Sequence, residues 1–188
     1  HGVVHAFVPN LAVNGVDDYG THVEPGALNE GWADYQSSSF AGNSQVGEYA
    51  SQGLAPSGET GLRDNDNQKK CPDDLIGEVH GDSEPWAGAL WATRESLGDD
   101  PAKIGAFDRA VLNAIKVAGD DETFATAGQH LVDAIKADAT LGQTVADFAQ
   151  GQLDTRGLSD CGRVWPLSDL NDDGSDVVVK KVPQLFQH

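Results

Sequence analysis

The chain contains no methionine and only two cysteines, Cys71 and Cys161. Starting at His1, with no methionine anywhere, it reads as a processed product, a fragment or an edited sequence. Two widely separated cysteines exclude a Cys-x-x-Cys redox motif and a thiolate zinc site. In a secreted protein they would close one disulfide; otherwise they are two inert buried thiols. Basic residues are scarce as well: twelve Lys and Arg stand against thirty Asp and Glu, a net charge of −18. That charge repels phosphate backbones and anionic lipid, so neither nucleic acid nor a membrane surface is expected as a partner. The chain also lacks an apolar run of membrane-spanning length and a secretory-type leader. What it does have is 188 residues with 39% hydrophobic content, enough for one ordinary core. Its acidity suits a secreted protein, a calcium binder or a high-salt setting, or simply a well-solvated surface.

The pattern along the chain predicts a mainly α-helical fold. A short helix from His1 to Val8 is stopped by Pro9, and a second runs from about Pro25 to Phe40. Residues 41–82 are rich in Gly, Ser, Asn, Asp and Gln and read as one long loop over the functional face, with a short strand near Val46 to Ala50. Four helices follow. The first runs from about Glu84 to Leu97, with Pro85 in its first turn. The others carry Ile104, Phe107, Val111 and Ile115; Phe124, Ala127, Leu131 and Ile135; and Leu141, Val145, Phe148 and Leu153 at helical spacing. Asp100, Asp121 and Thr140 stand where N-caps belong, and Gly98, Gly119 and Gly157 where helices end. The expected organisation is a helical lobe over residues 1–163 and an irregular C-terminal tail over 164–188.

Three short segments carry candidate chemistry. In His1-Gly2-Val3-Val4-His5 the two histidines lie four apart, so on a helix both imidazoles leave one face and can grip one metal ion. A solvated or core histidine pair gives the same spacing. In Asn29-Glu30-Gly31-Trp32-Ala33-Asp34 the two acids repeat that spacing: Glu30 can add a third ligand and Asp34 can orient a ligand histidine. In a chain this acidic they also fit a plain helix surface. The third segment, Gly77-Glu78-Val79-His80-Gly81-Asp82-Ser83-Glu84-Pro85-Trp86-Ala87, puts a histidine just ahead of a helix.

Together these segments resemble the gluzincin metallopeptidases, the thermolysin-like and fungalysin-like group, whose pattern is His-Glu-x-x-His followed 20 to 30 residues later by Asn-Glu-x-x-x-Asp or Gly-Glu-x-x-x-Asp. The resemblance covers roughly residues 1–165, tightly at the three motifs and loosely between them. It implies the helical lobe of a thermolysin-like zinc peptidase. His1, His5 and Glu30 would be zinc ligands, with Asp34 behind His1 and His80 stabilising the oxyanion. It further implies a peptide or protein substrate, a secreted or extracellular location, and an N-terminal lobe that this chain does not contain. Tyr19 and His22 are weaker candidates for a second oxyanion donor.

The pattern breaks at Gly2, which stands where the family has its general-base glutamate. Losing such a base removes about 10²- to 10⁴-fold in rate, so an impaired peptidase is expected. The alternative is a non-catalytic zinc- or calcium-binding pseudopeptidase that serves as a binding module. In the tail, Asp169, Asn171 and Asp173 precede Gly174 at the alternation of a calcium loop, although Lys180 occupies the position of the closing bidentate glutamate, and an Asp/Gly turn without an ion gives the same pattern.

Overall fold

The computed structural model describes residues 1–11, 14–17, 20–54, 61–161, 164–167 and 177–180. Among them the chain is mainly helical, in the order α1 (Gly2–Phe7), β1 (Gly15–Asp17), β2 (Gly20–His22), α2 (Glu24–Ala41), β3 (Gln45–Val46), α3 (Glu48–Leu54), β4 (Arg63–Asp64) and α4 (Val79–Asp82). Then come α5 (Glu84–Glu95), α6 (Pro101–Val117), α7 (Phe124–Ala137) and α8 (Gly142–Thr155), a 3₁₀ turn at Leu158–Asp160, β5 (Val164–Leu167) and β6 (Val177–Lys180). The strands form three small antiparallel pairs: β1 with β2, β3 with β4, and β5 with β6. Where an irregular tail is expected, Val164–Leu167 therefore pairs with Val177–Lys180. Among the described residues, no helix is long and apolar enough to cross a membrane.

The periodic apolar stripes close the core as their spacing requires, except at Phe148 of α8, which is exposed although its spacing places it on the apolar stripe. Phe107, Val111 and Ile115 from α6, Phe124, Leu131 and Ile135 from α7, and Leu153 from α8 are all buried in one cluster. Helices α6, α7 and α8 pack in sequence, and α5 packs on α8. Helix α2 lies against α4 and α5, with α1 beside it. Its Trp32 meets Trp86 of α5 edge to face, ring centroids 6.1 Å apart, and both side chains are fully buried. Burying two such rings removes a large apolar area from water, and an edge-to-face pair adds about 0.5 to 1.5 kcal/mol beyond that burial.

Several helix ends differ from expectation. Asp100 does cap α6, accepting from the amides of Ala102 and Lys103. Asp121, however, does not cap α7: Thr123 does, in a reciprocal capping box with Thr126. Leu141 rather than Thr140 precedes α8. The segment 41–82 holds more than a loop with one short strand: α3, the β3–β4 pair and α4 all lie in it, and β3 covers only the Val46 end of the expected strand. Residues 48–50, expected to continue a strand, begin α3.

The cysteines are bridged, Cys71 to Cys161, with Cα atoms 5.5 Å apart. The amide of Cys71 donates to the Arg156 carbonyl at 2.8 Å, so the loop is joined to the end of α8 by backbone as well. Gly157, at φ +69°, lies against the Cys71 carbonyl, where any side chain would collide. The buried Arg156 donates to the backbone carbonyls of Asn67 and Lys69. These bonds anchor the chain that leads towards α4.

Candidate active site

Three remote segments meet at one carboxylate oxygen. Glu30 lies on the second turn of α2, and its Oε2 is 3.3 Å from Nε2 of His1 and 3.4 Å from Nε2 of His80. His1 is the N-cap of α1 and His80 belongs to α4, so α1, α2 and α4 each contribute one side chain. The His1 and His80 side chains are 60% and 51% exposed, against 15% for Glu30. A largely buried acid thus sits beneath two open imidazoles. Burial pushes the Glu30 carboxyl above its ordinary value, opposed by His80 and Arg63 and reinforced by Asp34 and Glu78.

Gly31 explains how α4 comes so close. A Cβ at this position would stand 2.8 Å from Cδ1 of Trp86 and 3.1 Å from the Ser83 carbonyl oxygen. Only a residue without a side chain lets the α4–α5 junction settle on α2 and bring His80 to Glu30. Glu78 then fixes the ring. One of its oxygens is 2.6 Å from Nδ1 of His80, while the other accepts from the amides of His80 and Gly81 and so caps α4. Burial alone would raise the Glu78 carboxyl, but these hydrogen bonds win and hold it below its ordinary value.

The other expected site residues fall as follows. His5 is one turn from His1, its amide donating to the His1 carbonyl at 2.8 Å, as the four-residue spacing requires. Its ring is exposed and forms no ion pair with Glu30. Asp34 is buried but does not orient His1: Arg63 takes both of its oxygens, Nε at 2.6 Å and Nη2 at 2.8 Å. Arg63 arrives on β4 with a planar fork that matches a carboxylate, and it is Asn29 that faces Nδ1 of His1, at 3.1 Å. Gly2 is exposed, with open space where its Cβ would be. His22 is buried elsewhere, against Glu24 and Asp121. Tyr19 and the calcium-loop residues Asp169, Asn171 and Asp173 lie outside the described residues.

Asn29, Arg63 and Glu78 contact the candidate residues, and sequence reasoning assigned them no role. Arg63 carried a signal: it is the only Lys or Arg ahead of Lys69. An isolated cation in an acidic stretch invites a carboxylate partner. Glu78 shows only its nearness to His80, and Asn29 only its place in the motif.

Donor chemistry and pairwise spacing suit zinc better than three-way geometry does. Two ligand atoms on a tetrahedral zinc, each about 2.0 to 2.1 Å from the ion, lie about 3.3 to 3.4 Å apart. The His1–Glu30 separation equals that figure, and it is also an ordinary imidazole–carboxylate contact. Yet among the described residues no group of three or more His, Cys, Asp or Glu converges in a way that could hold a metal ion. The expected set of His1, His5 and Glu30 is therefore not closed, because the His5 ring stays apart. Comparison with protein-family models, with curated proteins and with solved structures gives no match for this chain.

Proposed function

We propose that this chain is the zinc-bearing helical lobe of a gluzincin-type metallopeptidase, acting on peptide or protein substrates and weakened by the glycine at position 2. The observation that carries this reading is the meeting of His1, Glu30 and His80, drawn from three segments remote in sequence, at a single oxygen. His1 and Glu30 would hold the ion, and His5 would complete the set by turning its uncommitted ring along the face it shares with His1. When bound, zinc supplies Lewis acidity, polarising a peptide carbonyl and acidifying water. His80, its Nδ1 fixed by Glu78, presents Nε2 to the same locus and would donate a hydrogen bond where negative charge develops on the substrate oxygen. The Cys71–Cys161 bridge supports a secreted or extracellular setting. Calcium in the Asp169, Asn171 and Asp173 loop belongs to the same proposal.

A second reading rests on Gly2. Proton transfer from water to a leaving amine needs a side chain there, and glycine has none. A chain that holds zinc without turning over would be a pseudopeptidase used as a binding module. Metal analysis of the purified protein, paired with a protease assay, separates the two. Zinc with chelator-sensitive hydrolysis supports the peptidase, zinc without hydrolysis supports the binding module, and a protein that takes up no zinc contradicts both.

A further inference from the structure

A second histidine and carboxylate group lies away from Glu30 and has no part in the proposed chemistry. His22, the last residue of β2, is only 6% exposed. Its Nε2 is 3.4 Å from Oδ1 of Asp121, in the connector between α6 and α7, and its Nδ1 is 3.9 Å from Oε1 of Glu24, the first residue of α2. The other oxygen of Glu24 accepts from the amide of Phe124 at 2.9 Å, and Phe124 opens α7. The connector is thus gripped on both sides of Thr123, at Asp121 and at Phe124. Nδ1 of His22 is buried and has no hydrogen-bond partner among the described residues. Beside the ring is a cavity of about 10 Å³, lined also by Leu75, Asp82, Phe124 and Cys161.

We propose that His22 is a proton-operated latch, which holds the α6–α7 connector against the start of α2 while the ring is charged and releases it when the ring is neutral. Three acids face the ring from three elements: Glu24 on α2, Asp121 on the connector, and Asp82 of α4 across the cavity. Asp82 is already engaged by the amides of Ile76 and Gly77. The remaining lining residues, Val23, Leu75, Phe124 and the bridged Cys161, carry no charge. A charged ring has an N–H for each of Glu24 and Asp121. A neutral ring has one N–H in all, which leaves one buried contact without its proton and two carboxylates facing each other with no cation between them. Burial already pushes the Glu24 carboxyl up, with the Phe124 amide and His22 pulling it down, so its charge relies on its neighbours. The latch closes on the acid side and opens as pH rises; imidazoles in general change charge between about pH 5 and 8.

Amide hydrogen exchange of the full chain, followed by ¹H–¹⁵N NMR at about pH 5.5 and about pH 8 and corrected for base catalysis, tests this. Protection of the Phe124 amide should fall by about tenfold at the higher pH, as expected for one lost charge-assisted contact. His22→Gln should show the low protection at both values. Asp121→Asn, at a half-exposed position that is safe for folding, should reduce the pH dependence on its own. His130→Gln is the control, because His130 faces the same connector through Glu122, with Nδ1 3.4 Å from Oε1, and this variant should keep the full pH response. Equal protection at both pH values in the natural chain overturns the latch. So does a response that persists in both His22→Gln and Asp121→Asn, or one that disappears in His130→Gln alone.

Discussion

Glu24 and Glu30 stand less than two turns apart on α2, each facing histidine, and yet their surroundings assign them different work. Glu24 is tied to the Phe124 amide and to a histidine that is 6% exposed, so its partners are fixed by the fold. Glu30 faces two histidines that are each more than half exposed, each steadied by one polar neighbour, Asn29 or Glu78, and not by burial. Burial of the imidazole makes the difference. A buried pair must be satisfied internally because desolvation punishes any unpaired charge, whereas an open pair can exchange its partner for a ligand at little cost. The first arrangement is suited to holding the fold, the second to binding.

The largest expected effect lies on the open side. Gly2→Glu should raise chelator-sensitive hydrolysis of an unstructured protein substrate by about 10²- to 10⁴-fold over the natural chain, the range that a general base supplies. There is room for the new side chain, since nothing lies within 4 Å of a Cβ at Gly2. A variant that binds zinc as before but stays at background would show that Gly2 is not the main defect.

The bundle should respond next. Trp86→Ala removes a fully buried ring that contacts both Trp32 and Phe124, and it should cost about 3 to 5 kcal/mol in chemical denaturation. Gly31→Ala is smaller in atoms but sharper in meaning. The added methyl must displace Trp86 or the Ser83 carbonyl, at about 1 to 3 kcal/mol, and the displacement should carry His80 away from Glu30. Loss of stability with unchanged chelator-sensitive hydrolysis would uncouple the packing of α4 from the site.

Much of this contrast can be traced to what the sequence displays. Helices α5 to α8 were legible because apolar side chains recur every three or four residues, and that pattern states which face is buried. Glu30 and His80 could be named as candidates because residue type and motif spacing survive in one dimension. The partners could not. Arg63 reaches Asp34 only because β4 pairs with β3, a two-residue contact with no periodicity to announce it. Helix α4 has four residues and is held by the Glu78 side chain and by packing on α2, so no run of apolar residues marks it. The role of Gly31 is likewise invisible until Trp86 is seen against it. The bridge between Cys71 and Cys161 stood open between disulfide and thiols until their Cα atoms were found 5.5 Å apart.

The smallest predicted effect sharpens the packed side. Tyr35 is fully buried and donates to Oδ1 of Asp108 at 2.5 Å, so burial first, and then Asp108, hold its hydroxyl well above the ordinary 10.0. A raised folded-state value means that the stabilisation is complete below about pH 10 and is lost as pH rises from there towards the folded-state value. Denaturation midpoints should therefore fall above about pH 10, and Tyr35→Phe should flatten that limb at a cost of about 1 kcal/mol near neutrality. An alkaline limb identical in both proteins would place the titrating group elsewhere.

The central claim is that α1 and α2 hold one zinc ion at Glu30 with His80 of α4 beside it, and calorimetric zinc titration of the full chain tests it most directly. The account predicts one zinc per chain for the natural sequence, with binding abolished in Glu30→Gln and in His1→Ala while both variants keep the helical circular dichroism of the parent. A natural chain that takes up no zinc, or a Glu30→Gln chain that binds it as tightly as the parent, would contradict the account.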